Sequence, residues 1–116
     1  MNIETDWYDY DDGYSIGTVG SSGGAIVRDE EHKSGARITL EEESSFASFA
    51  ITCGIYGWMF HTRYFSDESE AGDDYDRMKD ELDEILESIP VDIENQDEET
   101  KNEIAEKIEM FVEKYP

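Results

Sequence analysis

A single cysteine, Cys53, stands among 116 residues, so neither an intrachain disulfide nor a multi-cysteine zinc site can form. Long apolar runs are missing as well. The nearest approach, residues 51–60, is broken by Thr52, Gly54 and Gly57 and falls far short of the roughly 20 residues that span a bilayer. Positive charge is scarce: nine Lys and Arg face 31 Asp and Glu, a net charge of −22. Phosphate backbones and anionic membranes are held by clustered Lys and Arg, so neither is an expected direct partner. The opening residues, Met1 to Asp6, lack the basic and apolar regions of a secretory leader, and the expected compartment is the cytoplasm.

Motifs for cofactors and catalysis are absent too. The glycines at 17, 20, 23 and 24 are followed by no Lys-Ser or Lys-Thr and match no Gly-x-Gly-x-x-Gly, so turn chemistry accounts for them. Asp9-Tyr10-Asp11-Asp12-Gly13 invites comparison with a calcium loop. With Gly13 as the sixth loop position, however, the first, third and twelfth fall on Tyr8, Tyr10 and Val19, none of them a carboxylate. Asp29, Glu30, Glu31, His32 and His61 contain metal-ligating types without a ligand spacing. They read as charged hairpin residues, and no metal or other cofactor is expected. Cys53 with His61 would make a nucleophile and base by residue type alone, and burial in an apolar strand is the simpler reading. An enzyme is therefore less expected than a binding protein.

Charge divides the chain into parts of one expected domain. Residues 1–12 hold five acids and no base and read as an acidic N-terminal segment. Residues 13–65 are nearly neutral, with six acids and four bases, while residues 66–116 hold twenty acids and five bases.

The middle part reads as a sheet. Residues 36–41 alternate apolar and polar at period two, as a half-buried strand does. Residues 14–19 and 25–28 are β-prone runs around a glycine turn. Residues 46–53 and 58–65 are rich in aromatic and β-branched side chains, with Gly54 and Gly57 bracketing a reversal. The last part reads as two helices. Ala71, Tyr75, Met78, Leu82, Ile85, Leu86 and Ile89 fall on one stripe, and Pro90 ends that helix. A second helix is expected to start near Asn95 or Asp97 and to bury Ile104, Ala105, Ile108, Phe111, Val112 and Tyr115. The expected fold is α+β: an antiparallel meander of about five strands with two C-terminal helices packed on one face.

Two surfaces then compete for function. Residues 67–88 hold eleven acids and two bases, or one net charge per roughly 3.7 Å at the helical rise, close to the ~3.4 Å spacing along one DNA strand. Asp73, Asp76, Asp80, Asp83, Glu84 and Glu87 form this acidic face, with Met110 beside it, and the face suits a basic protein partner. The leading expectation is a macromolecular binding or inhibitory protein, immunity- or antitoxin-like, with imitation of nucleic acid as one form of it. In small size and acidity alone, the chain resembles small bacterial inhibitor and immunity proteins as a class. The competing surface is the sheet face left bare by the helices, where Arg28, Arg37, Trp58, His61, Arg63 and Tyr64 would make a small-molecule or enzymatic site. A third reading has that face form a homodimer in a structural subunit.

Overall fold

The computed structural model describes residues 6–89 and 98–116. Five strands follow one another, β1 (Trp7–Asp9), β2 (Ala25–His32), β3 (Ala36–Glu42), β4 (Phe49–Ile55) and β5 (Met59–Phe65), before α1 (Glu68–Ser88) and α2 (Glu98–Lys114). Each strand pairs antiparallel with the next, so sheet order repeats chain order. This is the expected α+β meander with two C-terminal helices.

Period-two alternation explains the sheet's two faces. Ala36, Ile38 and Leu40 of β3 meet Ile55, Cys53 and Ile51 of β4 in register, and all six are buried in the core. Onto them α1 lays Ala71, Tyr75, Met78, Leu82, Ile85 and Leu86, and α2 adds Ile104, Ile108 and Phe111. Asp67 starts α1 by accepting a hydrogen bond from the Ser69 N–H at 3.2 Å, which satisfies one of the free donors of the first turn. Of the expected stripe on α2, Val112 is only half-buried and Ala105 is exposed.

Several boundaries differ from expectation for local physical reasons. Residues 14–19 form no strand, because their backbone closes successive turns: Tyr14 N–H donates to Asp11 O and Thr18 N–H to Ser15 O. The first strand lies instead in the acidic N-terminal segment, where Trp7 is buried against the core. β2 continues past Arg28 to His32 through four ionisable residues. β4 starts at Phe49 rather than 46, since the Ser44 hydroxyl donates to Ala47 O and accepts from Ala47 N–H, a local alternative to the ladder. Asn95, Asp97 and Pro90, which were to mark helix ends, lie outside the described residues.

The helix layer covers one sheet face. On the other, residues 10–24 fold back over part of the sheet, with Gly17 N–H donating to Ile26 O and Ile26 N–H to Thr18 O. Beyond that loop the face is open, and Phe60 is 74% exposed.

Leu82 is fully buried at the centre of this layer contact. Leu82→Ala is expected to lower unfolding stability by about 2–5 kcal/mol, the range for a leucine truncated in a packed core. Urea denaturation reads this as a lower midpoint at unchanged slope.

Candidate functional site

The ionisable run of β2 is sorted by strand parity, each side chain meeting its own partner. Asp29 and Glu31 point to the open face, Glu30 and His32 to the helices. Asp29, its side chain wholly buried, accepts two hydrogen bonds from Arg37, at 2.9 and 2.6 Å, and one from the Thr39 hydroxyl at 3.0 Å. Glu30 accepts from the Tyr75 hydroxyl at 3.0 Å and from Lys79 at 2.7 Å. Glu31 accepts from the hydroxyls of Tyr8, at 2.7 Å, and Tyr56, at 2.6 Å. His32 bonds Asp83 of α1 at 2.7 Å.

His32 also stands near Asp6, the three residues offering ligand atoms within 4.8 Å of one another. Its Nδ1 accepts from the Ser34 N–H at 3.0 Å, so Nε2 carries the proton and donates to Asp83. A cation on Nε2 would leave both ring nitrogens as acceptors, whereas a metal-bound histidine ordinarily donates through its second nitrogen. The cluster is a clamp between β2 and α1.

The six residues expected to share the bare sheet face do not share it. Arg37 and Tyr64 lie there, Arg37 over the Tyr10 ring at 3.5 Å and Tyr64 edge-on to Phe46. Arg28 lies on the helix side, bonded to Asp76 and 3.9 Å over the Tyr75 ring. His61 bonds the Tyr115 carbonyl, Arg63 pairs with Asp74, and Trp58 packs against the core. Strand parity separates them, because His61 and Arg63 alternate with Phe60, Thr62 and Tyr64 along β5. Arg28 falls on the helix side by the same alternation along β2, sharing it with Glu30 and His32 and standing opposite Leu40 of the core.

Of the acidic-face residues, Asp73, Asp80, Glu84 and Glu87 are exposed and, among the described residues, none pairs with a base. Asp76 and Asp83 are engaged by Arg28 and His32. Met110 is 69% exposed and lies in a groove between the helices with Glu84, Ile85, Lys107, Phe111 and Lys114, so basic side chains surround it as well as acids. Sequence reasoning missed Asp74, which α1 buries between Arg63 and Arg77.

Cys53 and His61 are register partners on the helix side. Burial pushes the Cys53 thiol up to about 12, which leaves almost no thiolate at neutral pH. His61 faces the Tyr115 carbonyl. The pair is structural.

The open face holds a cleft of about 810 Å³ between residues 10–21 and the β4–β5 hairpin. Its floor follows the register: Arg37, Gly54 and Phe60 run across three strands, and Thr39 and Thr52 form the next row. One wall rests on Glu41, a fully buried carboxylate. Glu41 accepts from the Ser22 N–H at 3.2 and 3.1 Å and from the Gly24 N–H at 2.9 Å. The glycine-rich turn therefore does cradle an anion, the chain's own carboxylate. Gly20 has to be glycine here, because a Cβ would collide with the Glu41 carboxylate.

The tyrosine hydroxyls on Glu31 make two testable edges in pH. Hydrogen bonds from Tyr56 and then Tyr8 hold the Glu31 carboxyl below its usual range. Burial, and after it the Glu31 contact, raise Tyr56, and the Glu31 contact raises Tyr8. A lowered carboxylate stabilises the fold above its ordinary pKa, and the effect is lost as pH falls through the folded value. A raised phenol stabilises below its ordinary pKa, and that effect is lost as pH rises through the folded value. Glu31→Gln is expected to flatten the acid edge in denaturation and to move part of the tyrosine ionisation at 295 nm to lower pH.

Native Cys53 is expected to resist a thiol reagent such as DTNB at pH 8 and to react within the mixing time in guanidinium. Compared with protein-family models, curated proteins and solved structures, the chain finds no match.

Proposed function

We propose that the chain is a macromolecular binding protein whose exposed helix face attracts a basic protein partner. The observation that carries this reading is the pairing pattern of α1. Its acids nearest the sheet are engaged inside the molecule: Asp74 by Arg63 and Arg77, Asp76 by Arg28 and Glu81 by Lys114 in ion pairs, and Asp83 by a hydrogen bond from His32. Besides the exposed Glu68 and Glu70 of the first turn, Asp73, Asp80, Glu84 and Glu87 remain. At 100° per residue these four fall within a stripe about 60° wide, about 21 Å long at the helical rise. Exposed carboxylates in α2, Glu103, Glu106, Glu109 and Glu113, extend the negative surface.

The pattern also separates two versions of the reading. Along this row of four, free charge comes once per about 7 Å rather than at the ~3.4 Å rise of a DNA strand. General attraction to a basic surface fits this sparser row better than imitation of a phosphate backbone does. Because exposed charge acts mainly on encounter, affinity would depend on contacts made after it. Basic side chains on this molecule do not favour an anionic partner: Arg28, Lys33, Arg37, Arg63, Arg77, Lys79 and Lys114 each pair with a carboxylate. No described helix is long and apolar enough to cross a membrane.

The test uses a partner captured from lysate and then purified, followed by association kinetics across ionic strength. Neutralising the row with Asp73→Asn, Asp80→Asn, Glu84→Gln and Glu87→Gln is expected to slow association about tenfold at low salt, with dissociation nearly unchanged. An on-rate indifferent both to salt and to these four substitutions removes the acidic face from the function.

A further inference from the structure

Independently of the helices, we propose that the cleft on the open sheet face binds a neutral oligosaccharide. Its volume of about 810 Å³ lies within the range of about 300–1,000 Å³ usual for small-molecule sites. The floor is hollow because β4 presents only small side chains there, Thr52 and Gly54, beside Phe60 of β5. A larger floor residue would fill the depression.

The charge state of the cleft selects against anions. Arg37 is neutralised by the buried Asp29 carboxylate, and Glu31 lies beside it, bonded to Tyr56. An anion would meet these carboxylates and the field of a chain of net charge −22. An uncharged ligand does not meet that penalty.

The remaining polar groups are matched to hydroxyls. Arg37 uses Nε and Nη2 on Asp29, which leaves Nη1 to donate. The Thr52 hydroxyl on the floor shares one hydrogen bond with Thr62 at 3.2 Å, in which either can donate, so Thr52 keeps lone pairs to accept and, where Thr62 donates, its own proton to give. The Asp11 carboxylate on the rim is exposed and accepts only. A sugar hydroxyl can both donate and accept and so satisfies all three kinds of group. Tyr10, Tyr56 and Phe60 supply aromatic rings on the same cleft, against which the apolar C–H face of a pyranose packs while its hydroxyls turn to the threonine row. Buried aliphatic ligands would leave that row unpaired.

The test is an amide NMR titration of the full chain with maltotriose, cellobiose, mannobiose and N,N′-diacetylchitobiose, each to about 50 mM, well above a Kd of about 1 mM for an open cleft. At least one is expected to give saturable shifts at Gly20, Thr39, Thr52, Gly54 and Phe60. Phe60→Ala, at a side chain too exposed to support the core, and Thr52→Val are each expected to weaken binding about tenfold while leaving the rest of the spectrum in place. No saturable shift from any of the four sugars overturns the proposal. So do shifts confined to the helices, or saccharide binding that survives both substitutions.

Discussion

Four consecutive ionisable residues lie inside the sheet, and a buried charge left unpaired costs several kcal/mol. The fold is arranged around meeting that constraint. Asp29, Glu30, Glu31 and His32 alternate between the faces of β2, so partners must arrive from both sides. β3 supplies Arg37 and Thr39, α1 supplies Tyr75, Lys79 and Asp83, and β1 and the β4–β5 turn supply Tyr8 and Tyr56. Removing one partner would expose its neighbour's desolvation cost, which couples elements far apart in the chain. Contacts of this kind give little net stability beside the apolar layer of Ile38, Ile51, Tyr75 and Leu82. What they specify is register, since a slip of one residue would send Asp29 toward the helices and Glu30 away from Lys79.

The same pairing decides where negative charge is left over. α1 faces the sheet with carboxylates on its flanks as well as an apolar stripe, and the sheet's bases reach up to them: Arg28 to Asp76, Arg63 to Asp74. A sheet part that looks nearly neutral by counting thus has its cations held in internal pairs. The solvent side of the helices carries most of the uncompensated remainder, with Asp9, Asp11, Asp12, Glu42 and Glu43 exposed on the sheet side. Negative charge is therefore densest on the helix layer rather than spread evenly.

Much of the architecture was legible in sequence because it rests on periodicity. The alternation of residues 36–41 and the apolar stripes of both helices depend only on spacing, and each reappears as a buried face. What was not legible depended on partners distant in the chain. Trp7 to Asp9 is too short and acidic to show a strand period, and it pairs because His32, Glu31 and Glu30 present an edge to it. β2 looked finished at Arg28 because its next residues are charged, and only the tertiary partners make a strand of them. The grouping of Arg28, His61 and Arg63 with Arg37 and Tyr64 failed differently. Parity along β5 already separated His61 and Arg63 from Tyr64, and parity along β2 sets Arg28 with Glu30 and His32 on the helix side, opposite Leu40. The cleft is hidden for a related reason, since Thr52 and Gly54 of β4 make a hollow only when Arg37 and Phe60 stand beside them on neighbouring strands.

Glu41 shows why that hollow persists instead of collapsing into a second core. A loop resting on apolar contacts alone would slide toward the sheet to bury more area, closing the space over Thr39 and Thr52. Here the loop is fixed by backbone N–H groups of Ser22 and Gly24 on a wholly buried carboxylate. Such hydrogen bonds are directional and short-ranged, and a buried carboxylate that loses them faces the full desolvation cost. The loop is therefore held at one distance from the sheet. The polar row Asp29, Thr39, Thr52 and Thr62 works in the same sense, because hydroxyls left facing a dry interface would lose their hydration without replacement. A rigid wall over a floor that resists drying is a preorganised depression, and ordering it is a cost already met in folding rather than at binding.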